Sequence, residues 1–233
     1  MRRASTRRST GTKGEWGDDY SSLQRHVSLA IAYNLWNYYH YTGDRQFMNA
    51  FGNEMFFDIC KFWISKTQKG EDDRHHINKV MGPDEFHEKL PGSDEGGISD
   101  NAYTNIMVSW ILSKAEKLKE EFKDEEIDKV LNMLEISEEN FEHWKDVEHK
   151  LALYINSEGI IEHFKGYFDL NELDWDAYRE KYGDIHRLDR ILKAEGKSPD
   201  AYKLSKQADL LMVFYNLGNE EVTHMLETMG YEA

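Results

Sequence analysis

Between Ser22 and Trp63 the apolar residues recur at helical spacing twice over, broken only at Thr42-Gly43-Asp44, and this commits the chain to packed helices. In the first run Leu23, Val27, Ala30, Ile31, Leu35 and Tyr38 fall on one stripe, with Ser21 or Ser22 placed to cap its start and Gly43 to end it. In the second, which Asp44 can cap, the stripe is Phe47, Phe51, Met55, Ile59, Phe62 and Trp63. Two such helices joined by a short turn form a helical hairpin. Proline usage agrees: only 3 occur in 233 residues, which favours long helices over many short strands.

The same periodicity predicts a third helix over residues 101–122, burying Ile106, Trp110, Ile111, Ala115 and Leu118. Shorter helices are expected over 124–134 and 138–150, the latter capped by Ser137. Residues 151–164 alternate weakly around Asn156-Ser157-Glu158-Gly159 and read as an extended segment or a hairpin. A short helix near 174–182 precedes a strong one over 205–217, with Ala208, Leu211, Met212 and Tyr215 as its buried stripe, and a last helix over 220–229. No repeat of fixed period is present, but the regular helix-loop-helix alternation suits a helical toroid. The fold class is mainly α.

A chain of this length forms one large domain or two small ones. Its 39% apolar and 13% aromatic content is that of a soluble globular protein with a thick core. The net charge of −15 argues against nucleic acid, whose binding needs a basic footprint. Arg2, Arg3, Arg7, Arg8 and Lys13 are the exception, in a Ser- and Thr-rich start that reads as an irregular tail over 1–20. That start lacks the apolar core of a secretory signal; its Arg- and Ser-rich, acid-free text also suits a transit peptide. Cys60 is the only cysteine, forms no internal disulfide and fits a reducing, cytoplasmic setting. No apolar run approaches ~18 residues, so a membrane span is not expected.

Residues 67–99 break the pattern. They are polar, rich in Gly, Asp, Glu and His, and hold Pro83 and Pro91. A connection this long without periodicity tends to carry function. Its most unusual text is Val80-Met81-Gly82-Pro83-Asp84-Glu85-Phe86-His87-Glu88. Gly-Pro enforces a turn, and a carboxyl held against Phe86 would have its ionisation disfavoured by desolvation, as a general acid near neutral pH requires. On residue types alone, a solvated acidic loop capping a helix is the commoner reading. His75, His76, His87 and Glu88 match no zinc spacing, so no metal is expected. Lys206 and Gln207 open the 205–217 helix, where donors favour an anionic or polar ligand, or are simply solvated. Arg25 and His26 read as surface charges or satisfied polar groups.

Taken together these segments resemble glycoside hydrolase family 65, which includes maltose, trehalose, nigerose and kojibiose phosphorylases and some hydrolases. The matching text is Leu23-Gln24-Arg25-His26-Val27, Ala32-Tyr33-Asn34, Tyr41-Thr42-Gly43-Asp44, the Val80 to Glu88 loop and Asp100-Asn101-Ala102-Tyr103-Thr104-Asn105. It continues with Phe164-Lys165-Gly166-Tyr167, Leu173-Asp174-Trp175-Asp176, Arg187-Leu188-Asp189-Arg190 and Ser205-Lys206-Gln207-Ala208-Asp209. The resemblance implies the central part of an (α/α)6-barrel catalytic domain over 21–233, with Glu85 as general acid and Lys206 and Gln207 contacting the sugar at the cleaved bond. His87, Asn101 and Tyr103 lie in matching motifs and are expected to bind substrate.

The implied reaction is inverting phosphorolysis of an α-glucosyl disaccharide to a glucose 1-phosphate, with inorganic phosphate as co-substrate and no cofactor. A phosphorylase needs one carboxyl plus an anion pocket, whereas a hydrolase needs a second carboxylate to activate water. With a charge of −15, any phosphate pocket must be locally positive. The family's N-terminal β-sandwich, early barrel helices and later Ser- and His-containing loop have no counterpart here, so an incomplete barrel is expected. The isolated chain is then expected to be inactive. The alternatives are a hydrolase of the same family, or a catalytically inactive helical fragment. A homodimer is compatible with this reading, while the charge and the lack of a long apolar run argue against nucleic acid and membrane as partners.

Overall fold

The computed structural model describes residues 7–9, 16–123 and 125–231. At its start β1 (Arg7–Ser9) and β2 (Trp16–Asp18) pair antiparallel; the rest of the expected tail, 1–6 and 10–15, lies outside the described residues. Ser21–Leu23 make a single 3₁₀ turn, so the first long helix, α1 (Val27–Thr42), begins after both serines expected to cap it. Gly43 closes α1 as its position predicts. Its φ of +66° is strained for any side-chain-bearing residue, and its amide donates to Tyr39 O at 2.8 Å. Asp44 then caps α2 (Arg45–Phe47), accepting from Phe47 N at 2.9 Å. A π turn, Met48–Gly52, runs directly into α3 (Asn53–Ile64).

The core stripe of this segment runs through Met48, Gly52, Phe56, Cys60 and Trp63. Of the expected stripe Ile59 and Trp63 are buried, while Phe51 and Met55 are exposed. In α1 the buried residues are Leu29, Ala32 and Leu35, while Val27, Ile31 and Tyr38 face outward.

Residues 67–99 hold a small hairpin, β3 (Thr67–Lys69) with β4 (His75–Ile77), and then irregular chain. Beyond it come α4 (Ala102–Glu121), α5 (Glu125–Met133) and α6 (Glu138–Lys150). Ser137 caps α6 through a reciprocal capping box with Asn140. Residues 151–164 do fold back: Ile155 bridges Ile161 around the turn at Asn156 and Gly159. The remaining helices are α7 (Trp175–Tyr182), α8 (Leu188–Ala194), α9 (Asp209–Leu217) and α10 (Asn219–Thr228).

The core is built around α4, which packs against α1, α3, α6, α9 and α10. Residues 102–112 are buried on every face, not only on the expected stripe, because helices surround them. Asn101 caps α4, its Oδ1 accepting from Thr104 N at 3.0 Å and from Thr104 Oγ1 at 2.8 Å. Asn101→Ala is therefore expected to cost about 1–2 kcal/mol, read as a lower urea midpoint.

The largest departure is α9. It starts at Asp209, so residues 205–208 are loop and Lys206 and Gln207 do not lie on the helix. Its buried residues are Asp209 and Val213, whereas Ala208, Leu211, Met212 and Tyr215 are exposed, Tyr215 by 90%. A separate cluster of Leu173, Leu188, Leu192 and Leu204 supports Phe86 and Tyr202, and so backs the acidic loop from outside the main core.

Candidate active site

The acidic loop is anchored before it turns. Arg25 Nη1 donates to Lys79 O at 2.8 Å, His26 Nδ1 lies 3.3 Å from Met81 O, and Met81 N donates to Leu23 O at 3.0 Å. Arg25 and His26 are thus satisfied polar groups that hold the loop's base. Gly82 is required by what lies beneath it: a β-carbon there would fall 2.5 Å from Asp209 Oδ2 and 2.7 Å from Asn101 Nδ2. Pro83 then directs the chain so that Asp84 points inward, 4% exposed, while Glu85 stays partly open.

Three of the expected site residues converge. Lys206 Nζ lies 2.6 Å from Glu85 Oε2, and Gln207 Nε2 donates to Glu85 Oε1 at 3.0 Å. Gln207 Oε1 also accepts from Glu85 N at 3.1 Å, so the one amide brackets the acidic residue at both main chain and side chain. Phe86 is turned to the outer leucine cluster. The Glu85 carboxyl is thus met by the Lys206 ammonium and the Gln207 amide. An acid role requires the Lys206 ammonium to move off, which its side chain, 45% exposed, permits.

The other expected residues stand behind this triad. His87 is 1% exposed, its Nδ1 2.9 Å from Asp84 Oδ2 and its Nε2 3.0 Å from Tyr202 O. Asn101 is 1% exposed and donates to Asp209 Oδ2 at 3.3 Å. Tyr103 is buried on α4, edge-on to the His26 ring. Burial and the Asp209 charge push its hydroxyl pKa up. The geometry adds residues that sequence reasoning missed as site members: Asp84, Asp209 and His163. Asp209 is fully buried, bonded to His163 Nε2, Asn101 and Leu210 N. Its signal was present in Ser205-Lys206-Gln207-Ala208-Asp209, but an acid at a helix start ordinarily reads as a solvated first-turn residue.

The electrostatics follow from these partners. Burial alone would raise the Asp84 carboxyl, but His87 and the Lys206 and Gln207 amides outweigh it and hold it below the ordinary value. Burial alone would lower the His163 imidazole, but Asp209 outweighs it and holds it above 6.5. A raised histidine value means that the fold binds the proton more tightly than the unfolded chain does. The stabilisation is then full below about pH 6.5 and is lost as pH rises through the folded value. The stability gap between wild type and His163→Gln should therefore narrow from about pH 6 to about pH 9 in urea titrations; a widening gap would contradict the pairing.

The histidines have separate carboxylate partners: His75 with Asp146, His76 with Asp100 and Asp72, His87 with Asp84. Among the described residues no group of three or more His, Cys, Asp or Glu side chains is arranged to hold a metal ion. Nor, among them, is any helix long and apolar enough to cross a membrane.

Residues 4–231 match the glycosyl hydrolase family 65 central catalytic domain. The chain is 48% identical over 218 residues to trehalose 6-phosphate phosphorylase of Lactococcus lactis, covering 94% of this chain and 27% of that protein. It is 32% identical over 232 residues to kojibiose phosphorylase of Thermoanaerobacter brockii, covering 94% and 28%. A solved protein from the human microbiome, named after kojibiose phosphorylase, shares the fold with a TM-score of 0.70 at 24% identity, covering 89% of this chain and 27% of that one. The chain thus spans about a quarter of the length of these relatives.

Proposed function

Since the chain belongs to glycosyl hydrolase family 65, we propose that it supplies the acid side of an inverting phosphorolysis of an α-glucosyl disaccharide. In this reading a phosphate oxygen attacks the anomeric carbon, the glycosidic bond breaks, and Glu85 delivers its proton to the departing sugar oxygen. Lys206 and Gln207 hold the glucosyl unit at the cleaved bond. His87, Asn101 and Tyr103, each nearly buried, join them in binding the substrate. The single observation that carries the reading is the convergence of Lys206 Nζ and Gln207 Nε2 on the Glu85 carboxyl, joined across more than a hundred residues. The helices would form part of an (α/α)6 barrel. Inorganic phosphate is the co-substrate and no cofactor is called for.

The identity of 48% to a trehalose 6-phosphate phosphorylase makes that phosphorylated disaccharide the first substrate to test. The expected products are glucose 1-phosphate and glucose 6-phosphate. Turnover by the complete protein should require phosphate; release of free glucose at the same rate without phosphate would point to the hydrolase reading instead. A second reading, a helical module that serves as a partner surface, is favoured by the outward apolar residues of α1 and α9, among them Val27, Ile31, Leu211 and Tyr215. Self-association in sedimentation, together with no turnover of any α-glucoside, would support it.

A further inference from the structure

We infer that Asp84 is a positioning residue: its buried carboxylate fixes the Lys206-Gln207 backbone against the acidic loop, so that both side chains return to one place beside Glu85. This rests on the reading of Glu85 as the acid and extends it to a residue that touches no substrate.

Asp84 Oδ1 accepts from Lys206 N at 2.7 Å and from Gln207 N at 3.2 Å. Its Oδ2 faces His87 Nδ1 at 2.9 Å. Both oxygens are engaged by protein and the residue is 4% exposed, so none of it is left to meet a sugar. The bonds to the two amides are charge-assisted and hence among the stronger kind. They also span distant parts of the chain, tying the turn after Pro83 to the loop before α9.

That loop has little else to hold its course. The N-terminus of α9 carries no side-chain cap, and within 205–208 the bonds are local, from Ser205 Oγ and Asp209 N to Gln207 O. The other links to the acidic loop are the Lys206 and Gln207 side chains, which must exchange partners if they are to hold a sugar. A backbone anchor lets them do so without losing register. Asp84 is itself held: His87 reaches from Asp84 to Tyr202 O, and the Phe164 and Tyr167 rings pack against the imidazole. This is the arrangement by which an outer partner sets the geometry of an inner group, where a misplacement of about 1 Å can cost ~100-fold in rate.

The test compares Asp84→Ala, Asp84→Asn and, as a destabilised control away from the site, Leu131→Ala on α5, all in the complete protein. Hydrogen exchange reads the anchor directly. In Asp84→Ala the amides of Lys206 and Gln207 should exchange about 100-fold faster, whereas Asp84→Asn, which keeps an acceptor for both, should stay within about tenfold of wild type. In turnover, Asp84→Ala should lose about 100-fold in kcat with KM for the disaccharide changed by less than about fivefold, and Asp84→Asn should recover most of that loss. Leu131→Ala should lower the melting temperature and leave kcat near wild type. Unchanged exchange at 206–207 in Asp84→Ala, or a kcat loss no greater than that of Leu131→Ala, overturns the proposal. Near-normal turnover of Glu85→Gln would instead remove the acid assignment and leave the exchange result standing, so the two failures are distinguishable.

Discussion

Replacing Glu85 with Gln is expected to lower kcat in the complete protein by about a thousandfold, within the range of removed general acids, and to leave the disaccharide KM within about threefold. The carboxamide has the shape of the acid and retains an oxygen for the Gln207 amide, which now lies 3.0 Å from Glu85 Oε1. What it lacks is a transferable proton, a need felt at the transition state and not in the ground state. A substrate whose leaving group departs without protonation should lose far less, because the missing proton no longer limits the step. Equal losses on both kinds of substrate would mean that Glu85 shapes the site without donating. The Lys206 ammonium, 2.6 Å from Glu85, bears on the same point. In this account Lys206 exchanges that contact for one to the sugar as Glu85 gives up its proton.

Asp209→Ala is expected to give the largest loss of stability, about 3–5 kcal/mol, because it removes a buried carboxyl that holds His163, Asn101 and the Leu210 amide. Asp209 is fully buried and His163 only 12% exposed in its side chain. The change also strips an acceptor from Asn101, the cap of α4, and empties the space under Gly82. For a domain of this size the melting temperature should fall by roughly 6–20 °C. Asp73 offers the contrast: its pairs with Lys69 and Lys150 are open to solvent, and its side chain is 65% exposed. Asp73→Ala should change stability by less than about 1 kcal/mol. Comparable losses for the two would show that the buried pair is not the support described.

Much of the helical plan was legible because it is written locally. Gly43 and Asp44 mark one boundary and Ser137 another, and each acts where the sequence places it. Which face of a helix is buried is a different question, settled by neighbours that periodicity does not reveal. The apolar stripe Leu211, Met212 and Tyr215 is real, yet α9 turns Asp209 and Val213 to α4 and leaves the stripe outward. The π turn at Met48–Gly52 had no sequence signal. At the site, the Gly-Pro-Asp-Glu and Lys-Gln segments stood out by residue type and place, their roles came from the resemblance, and the fold brings them together. Asp84 was passed over because its partners are main-chain amides distant in sequence, and an amide carries no residue-type signature.

The central claim is that Glu85 protonates the leaving sugar while phosphate attacks from the opposite face, and the anomeric outcome tests it most directly. Trehalose 6-phosphate and inorganic phosphate, followed by proton and phosphorus NMR with the complete protein, should give the β anomer of glucose 1-phosphate first, together with glucose 6-phosphate. Initial formation of the α anomer, or of free glucose whether or not phosphate is present, would contradict the account.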